Sequence, residues 1–470
     1  MNGARYLRLV AILAACFILC ACGARREGIA DLEKLQQRAA AYLPDESGRP
    51  LVTPEVQKDL QARYMEKFFG PWRNGKATLA PEVAFWGTAT FGRKKGFGEN
   101  LQPWSLPRWE ALVAMQLESS YPSMARHAIA TRNTSFRVMP TDKPFFYDPA
   151  KAGEGYPFDY MQNSAVWIGT PLLVTHASAD GAWYFAEAGM TYGWVPADAV
   201  GWTDEAFRTA YMTGIYAAAL HDRIVLRTDA GAFAGMAHLG TVFPVSVSAM
   251  MLESAQAAEG VVAEQGGGVQ ALPVLVPLRT VEGDAIAVSV RLPLTAMGLM
   301  PQPLSAQALA RFADVMMGQP YGWGGLLENR DCSAAMRDLF APFGIWLPRN
   351  SSQQGKEVGT PVSLEGKSAA VKRAMILEAG IPYYTLLWFK GHIGLYIGPD
   401  PVTGEPLLLH DVWGARTTWK GVDGRAVVGR LAVTTLRFGE ERDDVQKDWF
   451  YDRLRGMVLM PSGEASGSVQ

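Results

Sequence analysis

The chain has 470 residues, of which 49% are hydrophobic, and a formal net charge of −2 from 44 basic and 46 acidic side chains. At about 150 residues per domain, this length predicts roughly three domains. The balance of charge gives no indication of nucleic-acid binding. Of the four cysteines only Cys332 lies beyond position 22, so no disulfide framework is predicted for the body of the protein.

The first 22 residues have the pattern of an export signal. Arg5 and Arg8 precede an apolar run, Leu9 to Leu19, that is too short to cross a bilayer comfortably as a permanent helix. The run ends in Leu-Cys-Ala-Cys and resembles the bacterial lipobox, which implies lipidation of Cys22. The alternative is an uncleaved hydrophobic anchor. In both cases the protein is exported and held at a membrane, and several acyl chains would make the anchoring stable.

Residues 27–130 are predicted to form a helical N-terminal domain. Thr53 followed by Pro54 is typical of a helix cap, and the apolar stripe that begins at Val56 ends at Gly70-Pro71. A further helical pattern covers Trp109 to Leu117. We interpret this region as a packing module without chemistry.

Residues 131–215 and 216–300 are predicted to be two small β-barrels. Short β-rich runs in the first block are separated by turn signals such as Asp180-Gly181, and their order resembles a bacterial SH3 domain. The second block contains Val242 to Val247, a loop from Ser254 to Gly268, and a hairpin around Glu282-Gly283-Asp284. We interpret it as a second, degenerate SH3-like barrel.

Aromatic side chains are frequent in the first block, and exposed aromatic faces bind sugars and peptides by stacking and apolar contact. The alternative for each is a place in the core. The candidates are Tyr147, Phe158, Tyr160, Trp167, Trp183 and Tyr184.

Residues 301–461 are predicted to form an α+β domain that begins with a helix from Leu304 to Met317 and contains Cys332. Apolar residues at helical spacing follow Cys332, and Gly344 is a plausible helix stop, which places the thiol at a helix N-terminus. There the helix macrodipole favours a thiolate. The preceding Gly322, Gly324 and Gly325 suit a tight loop whose backbone approaches a ligand. A lone cysteine is, however, more often an inert core residue.

Two histidines follow in runs with strand character. His392 opens one run and His410 lies near the end of another, 18 residues later. A turn at Gly404 would make the two strands antiparallel neighbours and bring the imidazoles together. The domain then offers a thiol, an imidazole to take its proton, and a second polar group to orient that imidazole.

Residues 304–436 resemble the NlpC/P60 family of cell-wall cysteine peptidases, a circularly related cousin of the papain-like fold. The resemblance rests on Pro320-Tyr-Gly-Trp-Gly-Gly325, Asp331-Cys-Ser333, Gly391-His-Ile393 and His410. The segment from Leu326 to Arg330 is a departure from the family pattern. With the helical region and the SH3-like blocks, the likeness covers most of the mature chain and implies hydrolysis of peptidoglycan stem peptides between γ-D-glutamate and the L-diamino acid.

The resemblance also implies roles for individual residues. Cys332 would be the nucleophile, His392 the general base, and His410 the group that holds His392 in the correct tautomer. Substrate-binding residues would be Tyr321, Trp323, Asp331, Ser333 and Ser351, with Asp331 and Ser333 helping to bind the free amine of an L-Ala-γ-D-Glu substrate. The alternative for Asp331 is helix capping.

The sequence is compatible with three functions. The first is a γ-D-glutamyl-L-diamino acid endopeptidase without cofactor or metal, acting on stem peptides or muropeptide fragments as a monomer. The second is a catalytically silent murein-binding lipoprotein that uses its SH3-like domains. The third makes Cys332, His392 and His410 zinc ligands, since thiolate and imidazole are donors that zinc prefers.

Overall fold

The computed structural model describes residues 28–249 and 271–461. The predicted signal peptide, its lipidation site Cys22 and the predicted loop from Ser254 to Gly268 lie outside these residues. Among the helices that the structure describes, none has the length and apolarity needed to cross a membrane.

The N-terminal region is helical, as the sequence predicts. Thr53 caps the longest helix by accepting a hydrogen bond from the Val56 amide at 3.4 Å, and Pro54 is its first residue. The helix ends before the Gly70-Pro71 pair that the sequence indicates as a stop. The α-helices are Asp31–Lys34, Pro54–Phe68, Gly70–Arg73, Pro81–Ala84, Trp86–Phe91 and Leu106–Met115, with 3₁₀ turns at Ala39–Tyr42 and Glu118–Ser120.

The first β-rich block is a seven-stranded antiparallel sheet with the order β3-β2-β6-β5-β4-β1-β7. Asp180 and Gly181 form the turn between β4 and β5, where Gly181 has a φ of +70°. The strands are β1 Arg126–Ala130, β2 Thr134–Arg137, β3 Gln162–Val166, β4 Pro171–Ala177, β5 Trp183–Glu187, β6 Tyr192–Pro196 and β7 Val200–Trp202, with a 3₁₀ turn at Ala197–Ala199.

The helix Glu205–Tyr211 precedes the second β-rich block, which contains three small sheets with the orders β10-β9, β11-β8-β14 and β12-β13. The predicted hairpin at residues 282–284 joins β12 to β13, and Gly283 has a φ of +98° there. The strands are β8 Tyr216–Ala219, β9 Ile224–Arg227, β10 Phe233–Ala237, β11 Val242–Pro244, β12 Ala271–Arg279, β13 Ala285–Pro293 and β14 Met297–Leu299.

The C-terminal block is an α+β domain around a six-stranded antiparallel sheet with the order β15-β20-β16-β17-β18-β19. Its strands are β15 Thr360–Ser363, β16 Thr385–Phe389, β17 His392–Pro399, β18 Pro406–Trp419, β19 Val422–Thr435 and β20 Leu454–Leu459. Its helices are Ala306–Met316, Cys332–Phe340, Ser351–Glu357, Ala369–Ala379 and Trp449–Arg453, with 3₁₀ turns at Trp323–Glu328 and Ala341–Phe343.

Both faces of this sheet are covered, which explains the continuous apolar run at the start of β18. Leu407 and Leu409 pack into a core that also contains Cys332, whereas Leu408 packs on the opposite face with Phe450. Because successive side chains of a strand point to opposite faces, a strand buried on both sides needs apolar residues at every position. The sheet thereby brings residues of β17 and β18 against the helix that begins at Cys332.

Candidate active site

Cys332 is the first residue of the helix Cys332–Phe340, as the sequence predicts. Asp331 is its N-cap and accepts a hydrogen bond from the Ala334 amide at 2.9 Å, which satisfies one of the donors left free at a helix start. The Cys332 amide belongs to the same first turn and has no carbonyl partner within the helix. Cys332 is a free thiol with 7% of its surface exposed.

The two histidines lie side by side, as the predicted strand pairing requires. Strands β17 and β18 are antiparallel neighbours, and His392 Nε2 lies 2.8 Å from His410 Nδ1. On its far side, His410 Nε2 lies 3.0 Å from the Thr434 hydroxyl, which itself donates to the Thr435 carbonyl at 3.0 Å. Thr434 therefore accepts from His410, and the Nδ1 of His410 accepts from the Nε2 of His392. This chain leaves the Nδ1 of His392 without a proton, as a general base requires.

The thiol and the imidazole are both neutral in this ligand-free site. Burial and the nearby Asp331 carboxylate raise the pKa of the Cys332 thiol to about 12, although the Ile393 amide, next to His392, donates to the sulfur and opposes the shift. Burial also lowers the pKa of His392 to about 3, with Arg453 adding to the effect. The expectation that the macrodipole favours a thiolate is thus wrong for the free protein, because desolvation outweighs the partial charge of the helix end.

Asp331 is saturated with hydrogen bonds. Its oxygens accept from Ala334 N, Gly324 N and Ser333 Oγ at 2.9–3.1 Å, and from both terminal nitrogens of the Arg349 guanidinium at 3.1 and 2.6 Å. Burial would raise the pKa of Asp331, but the guanidinium and these bonds lower it below its usual range. Asp331 therefore caps the helix and pairs with a buried cation, which is the alternative role that the sequence left open.

Arg349 links this cluster to the first β-rich block. It is 3% exposed, and besides Asp331 it donates to Ser333 Oγ at 2.9 Å and to Ser164 Oγ of β3 at 2.9 Å. The predicted Ser351 begins the next helix, Ser351–Glu357, and is half-buried. Sequence analysis missed Arg349, whose only signal was its place two residues before Ser351.

The glycines before Cys332 allow a close approach to protein rather than to a ligand. Gly324 and Gly325 have φ values of +61° and +84°, and a Cβ at these positions would lie 2.6 Å from the Gln162 carbonyl and 2.5 Å from the Ala165 amide. Both contacts are with β3 of the first block. The expectation of a ligand-cradling loop is corrected accordingly, since the loop packs backbone to backbone against the first block.

Aromatic side chains from two blocks meet beside the thiol. The rings of Phe158 and Tyr160 in the first block lie 5.4 and 5.9 Å from Trp323, and Phe158 also lies 6.1 Å from Tyr321. Trp413 of β18 completes the group, 5.8 Å from Phe158 and 6.1 Å from Tyr321. We call these five residues the cleft aromatic cluster. The predicted pair Tyr321 and Trp323 belongs to it, whereas Trp413 was not predicted.

The remaining first-block aromatics have other partners. The Tyr147 and Tyr160 rings lie 4.3 Å apart, and Trp167 is buried with its indole nitrogen donating to Asp338 at 3.1 Å. Trp183 packs against the core around Phe185, and the Tyr184 ring lies 5.0 Å from Trp202. Only Phe158 and Tyr160 of the six candidates lie in the cleft aromatic cluster.

Two histidines outside the site form hydrogen bonds that stabilise the fold. His238 lies in a buried network with Asp222 and Glu328, and His176 is bound to the Gln116 carbonyl at 2.8 Å. Within residues 28–249 and 271–461, no group of three or more His, Cys, Asp or Glu side chains is arranged to hold a metal ion. His392 and His410 instead direct ring nitrogens at each other.

The fold and the site together define a multidomain protein with a helical N-terminal region, two small β domains and a C-terminal α+β domain that carries a cysteine and two histidines. Residues 318–424 match the NlpC/P60 family, and residues 10–121 match the N-terminal stabilising domain of NlpC/P60 proteins. Residues 144–196 and 204–248 match SH3 domains of the SH3b1 and SH3b2 types. The C-terminal domain is therefore an NlpC/P60 domain, the domain of a peptidase family, preceded by two bacterial SH3 domains.

One solved structure has this fold over most of its length. An NlpC/P60 endopeptidase from Photobacterium damselae subsp. piscicida is 22% identical, with a TM-score of 0.78 over 90% of this chain and 97% of its own. An NlpC/P60 family protein from Bacillus cereus is 13% identical, with a TM-score of 0.44 over 71% of this chain and 100% of its own. At 22% identity the likeness to the Photobacterium protein concerns the fold alone. The comparison with curated proteins gave no match.

Proposed function

We propose that the protein is a peptidoglycan hydrolase of the cysteine peptidase class, a γ-D-glutamyl-L-diamino acid endopeptidase that cuts stem peptides. The observation that carries the proposal is the approach of β17 to the thiol: the Ile393 amide donates to the Cys332 sulfur. The preceding residue, His392, is linked through His410 to Thr434 by hydrogen bonds that leave its Nδ1 basic.

In the proposed mechanism, the Cys332 sulfur attacks the γ-glutamyl carbonyl carbon while His392 Nδ1 takes the thiol proton. The transfer of the proton during attack suits a neutral Cys332 thiol and a neutral His392 imidazole. Neither side chain then has to carry a charge in the buried site before substrate binds. The Cys332 amide at the helix start is a donor for the developing oxyanion. His392 then returns the proton to the leaving amine, and water, deprotonated by the same imidazole, hydrolyses the thioester. His410 positions His392 throughout.

The proposed substrate is a stem peptide with a free N-terminal L-Ala, released from the wall, rather than an intact strand. Support comes from the first SH3 domain, whose Phe158 and Tyr160 form one side of the cleft aromatic cluster and whose Ser164 contacts Arg349. A cleft walled on one side suits a short peptide better than a glycan-linked one. We further propose that the protein is exported, is tethered to a bacterial membrane through lipid on Cys22, and acts as a monomer.

The test compares cleavage of L-Ala-γ-D-Glu-meso-diaminopimelate with cleavage of its N-muramyl form. Cleavage of the free peptide at the γ-glutamyl bond, lost in Cys332→Ala and His392→Ala, is the expected result, and equal rates on both substrates would refute the preference for free peptides. A Cys332→Ala protein that kept its full cellular effect would instead support the murein-binding alternative. Loss of activity with chelators but not with thiol alkylation would support the zinc alternative.

A further inference from the structure

The Asp411 carboxyl is buried beside the candidate nucleophile without a partner. Asp411 is 1% exposed, and neither of its oxygens has a hydrogen-bond partner in the part of the chain that the structure describes. It directly follows His410 on β18, so its side chain points to the opposite face, where the helix Cys332–Phe340 packs. Asp411 acts electrostatically on both Cys332 and Tyr321, which places its carboxyl in the neighbourhood of both residues.

The surroundings of Asp411 continue into the cleft aromatic cluster. Trp413 lies two residues further along β18 and hence on the same face, with its ring 6.1 Å from Tyr321. Asp411 and Trp413 therefore share the face of β18 that carries one side of the cleft aromatic cluster. The other carboxylate at this place, Asp331, cannot receive a ligand cation in the same way, because its five hydrogen bonds already occupy both oxygens.

An unpartnered buried carboxyl costs free energy, since it has lost its water without gaining a donor. Such groups are rare in native proteins and call for a specific explanation. An incoming anion would meet two carboxyl groups, Asp331 and Asp411. An incoming ammonium would meet an unused acceptor and the faces of aromatic rings, and both attract cations.

We propose that Asp411 is a specificity-determining residue that receives a primary ammonium group of the peptide substrate, at the Tyr321 and Trp413 end of the cleft aromatic cluster. The inference rests on the proposed function and deepens it. Burial and the neighbouring Asp331 raise the pKa of Asp411 well above its usual value, and a cation held against the carboxyl would lower it again.

Two ammonium groups of the proposed substrate have this chemistry, the α-amine of L-Ala and the free amine of the diaminopimelate side chain. Three peptides distinguish them: the free tripeptide, its N-acetyl-Ala form, and an analogue with 2-aminopimelate in place of diaminopimelate. Wild-type kcat/KM is expected to fall at least tenfold on the one peptide that lacks the recognised amine. Asp411→Asn should reduce kcat/KM on the free tripeptide by the same factor. On the peptide that lacks the recognised amine, Asp411→Asn should have the same kcat/KM as wild-type protein.

An equal loss for Asp411→Asn on all three peptides would mean a structural role and would overturn the inference, as would an unchanged rate on all of them. Glu405→Gln is the matched control, because Glu405 is a buried carboxyl that already has Arg373 and Tyr451 as partners. It should leave the ratios between the peptides unchanged. Asp411→Ser, with a smaller neutral side chain, carries the same expectations if the Asn variant fails to fold.

Failure of the proposed function is separable, because wild-type protein would then cleave none of the peptides. Calorimetric binding of the free tripeptide to Cys332→Ala tests the inference independently of turnover. Cys332→Ala/Asp411→Asn is expected to bind at least tenfold more weakly than Cys332→Ala. Equal binding by the two proteins, or binding by neither, would overturn the role of Asp411.

Discussion

Ser164 of the first SH3 domain accepts a hydrogen bond from Arg349 Nε at 2.9 Å, and the same guanidinium donates to Asp331, the N-cap of the Cys332 helix. The domain is therefore joined to the candidate site by a buried polar contact as well as by the packing of Gly324 and Gly325 on β3. A domain that only bound murein would not need to contact Arg349, which holds the N-cap of the Cys332 helix. The first SH3 domain is in this sense part of the site.

Replacing Arg349 with Met is expected to lower the free energy of unfolding by about 3–5 kcal/mol, since the buried Asp331 carboxylate loses its counter-charge. Urea unfolding measures the loss. The double variant Arg349→Met/Asp331→Asn should recover a large part of it, because the unpaired charge is gone. Equal stability of the single and double variants would contradict the ion-pair argument.

Gly325→Ala is expected to impair both stability and peptide cleavage, because its Cβ would lie 2.5 Å from the Ala165 amide. Gly318→Ala is the matched control, since Gly318 also has a positive φ, +78°, but no atom lies within 4 Å of its added Cβ. In both variants an alanine has to adopt a positive φ, which costs about 1–2 kcal/mol. Only Gly325→Ala should show a further loss of thermal stability, and equal effects would show that the approach to β3 is unimportant.

Thr434→Val is expected to lower kcat about fivefold with little change in KM, since one hydrogen bond that fixes the His410 tautomer is worth about 1 kcal/mol. Stopped assays on the free tripeptide measure both constants. Thr203→Val serves as control, because the Thr203 hydroxyl is buried without a hydrogen-bond partner within the described residues and lies far along the chain from the site. Matching losses in the two variants would argue against the Thr434–His410–His392 chain.

The network between the second SH3 domain and the C-terminal domain should respond to pH. Burial lowers the pKa of His238, but hydrogen bonds to Asp222 and Glu328 outweigh this and raise it above its usual value. A raised folded-state pKa gives stability that is present below the unfolded pKa of about 6.5 and lost as pH rises through the folded value. Wild-type protein should therefore gain stability between pH 8 and 6 relative to His238→Gln, and parallel stability curves for the two proteins would contradict this role of His238.

Much of the site was predictable because its signals are local. The helix start at Cys332, the strand character of the His392 and His410 runs, and the turn between them are all short-range patterns. The last two predicted that the histidines would meet, and the 2.8 Å contact between them confirms that prediction.

The remaining residues were not predictable, because their roles depend on contacts between distant segments. Arg349 and Ser164 are 185 positions apart, and no periodicity connects them. The isolation of Asp411 can be recognised only when every neighbour is known. The direction of the Cys332 pKa shift was predicted wrongly for a related reason. The helix dipole can be predicted from the sequence, whereas the burial that outweighs it results from tertiary packing.

The raised pKa of the Cys332 thiol, about 12, predicts slow alkylation by iodoacetamide at pH 7. The thiolate is the reactive form, so the rate should rise about tenfold per pH unit between pH 7 and 9. Mass spectrometry of the peptide that contains Cys332 follows the reaction, with urea-unfolded protein as the reference for an ordinary thiol.

His392→Gln provides the decisive comparison. Because burial lowers the pKa of His392 to about 3, no imidazolium stabilises a thiolate at pH 7, and removal of the ring should leave the alkylation rate within about threefold of wild type while hydrolysis is abolished. A fall of more than tenfold in alkylation would reveal a preformed thiolate–imidazolium pair. The proton would then leave the sulfur before substrate arrives rather than during attack.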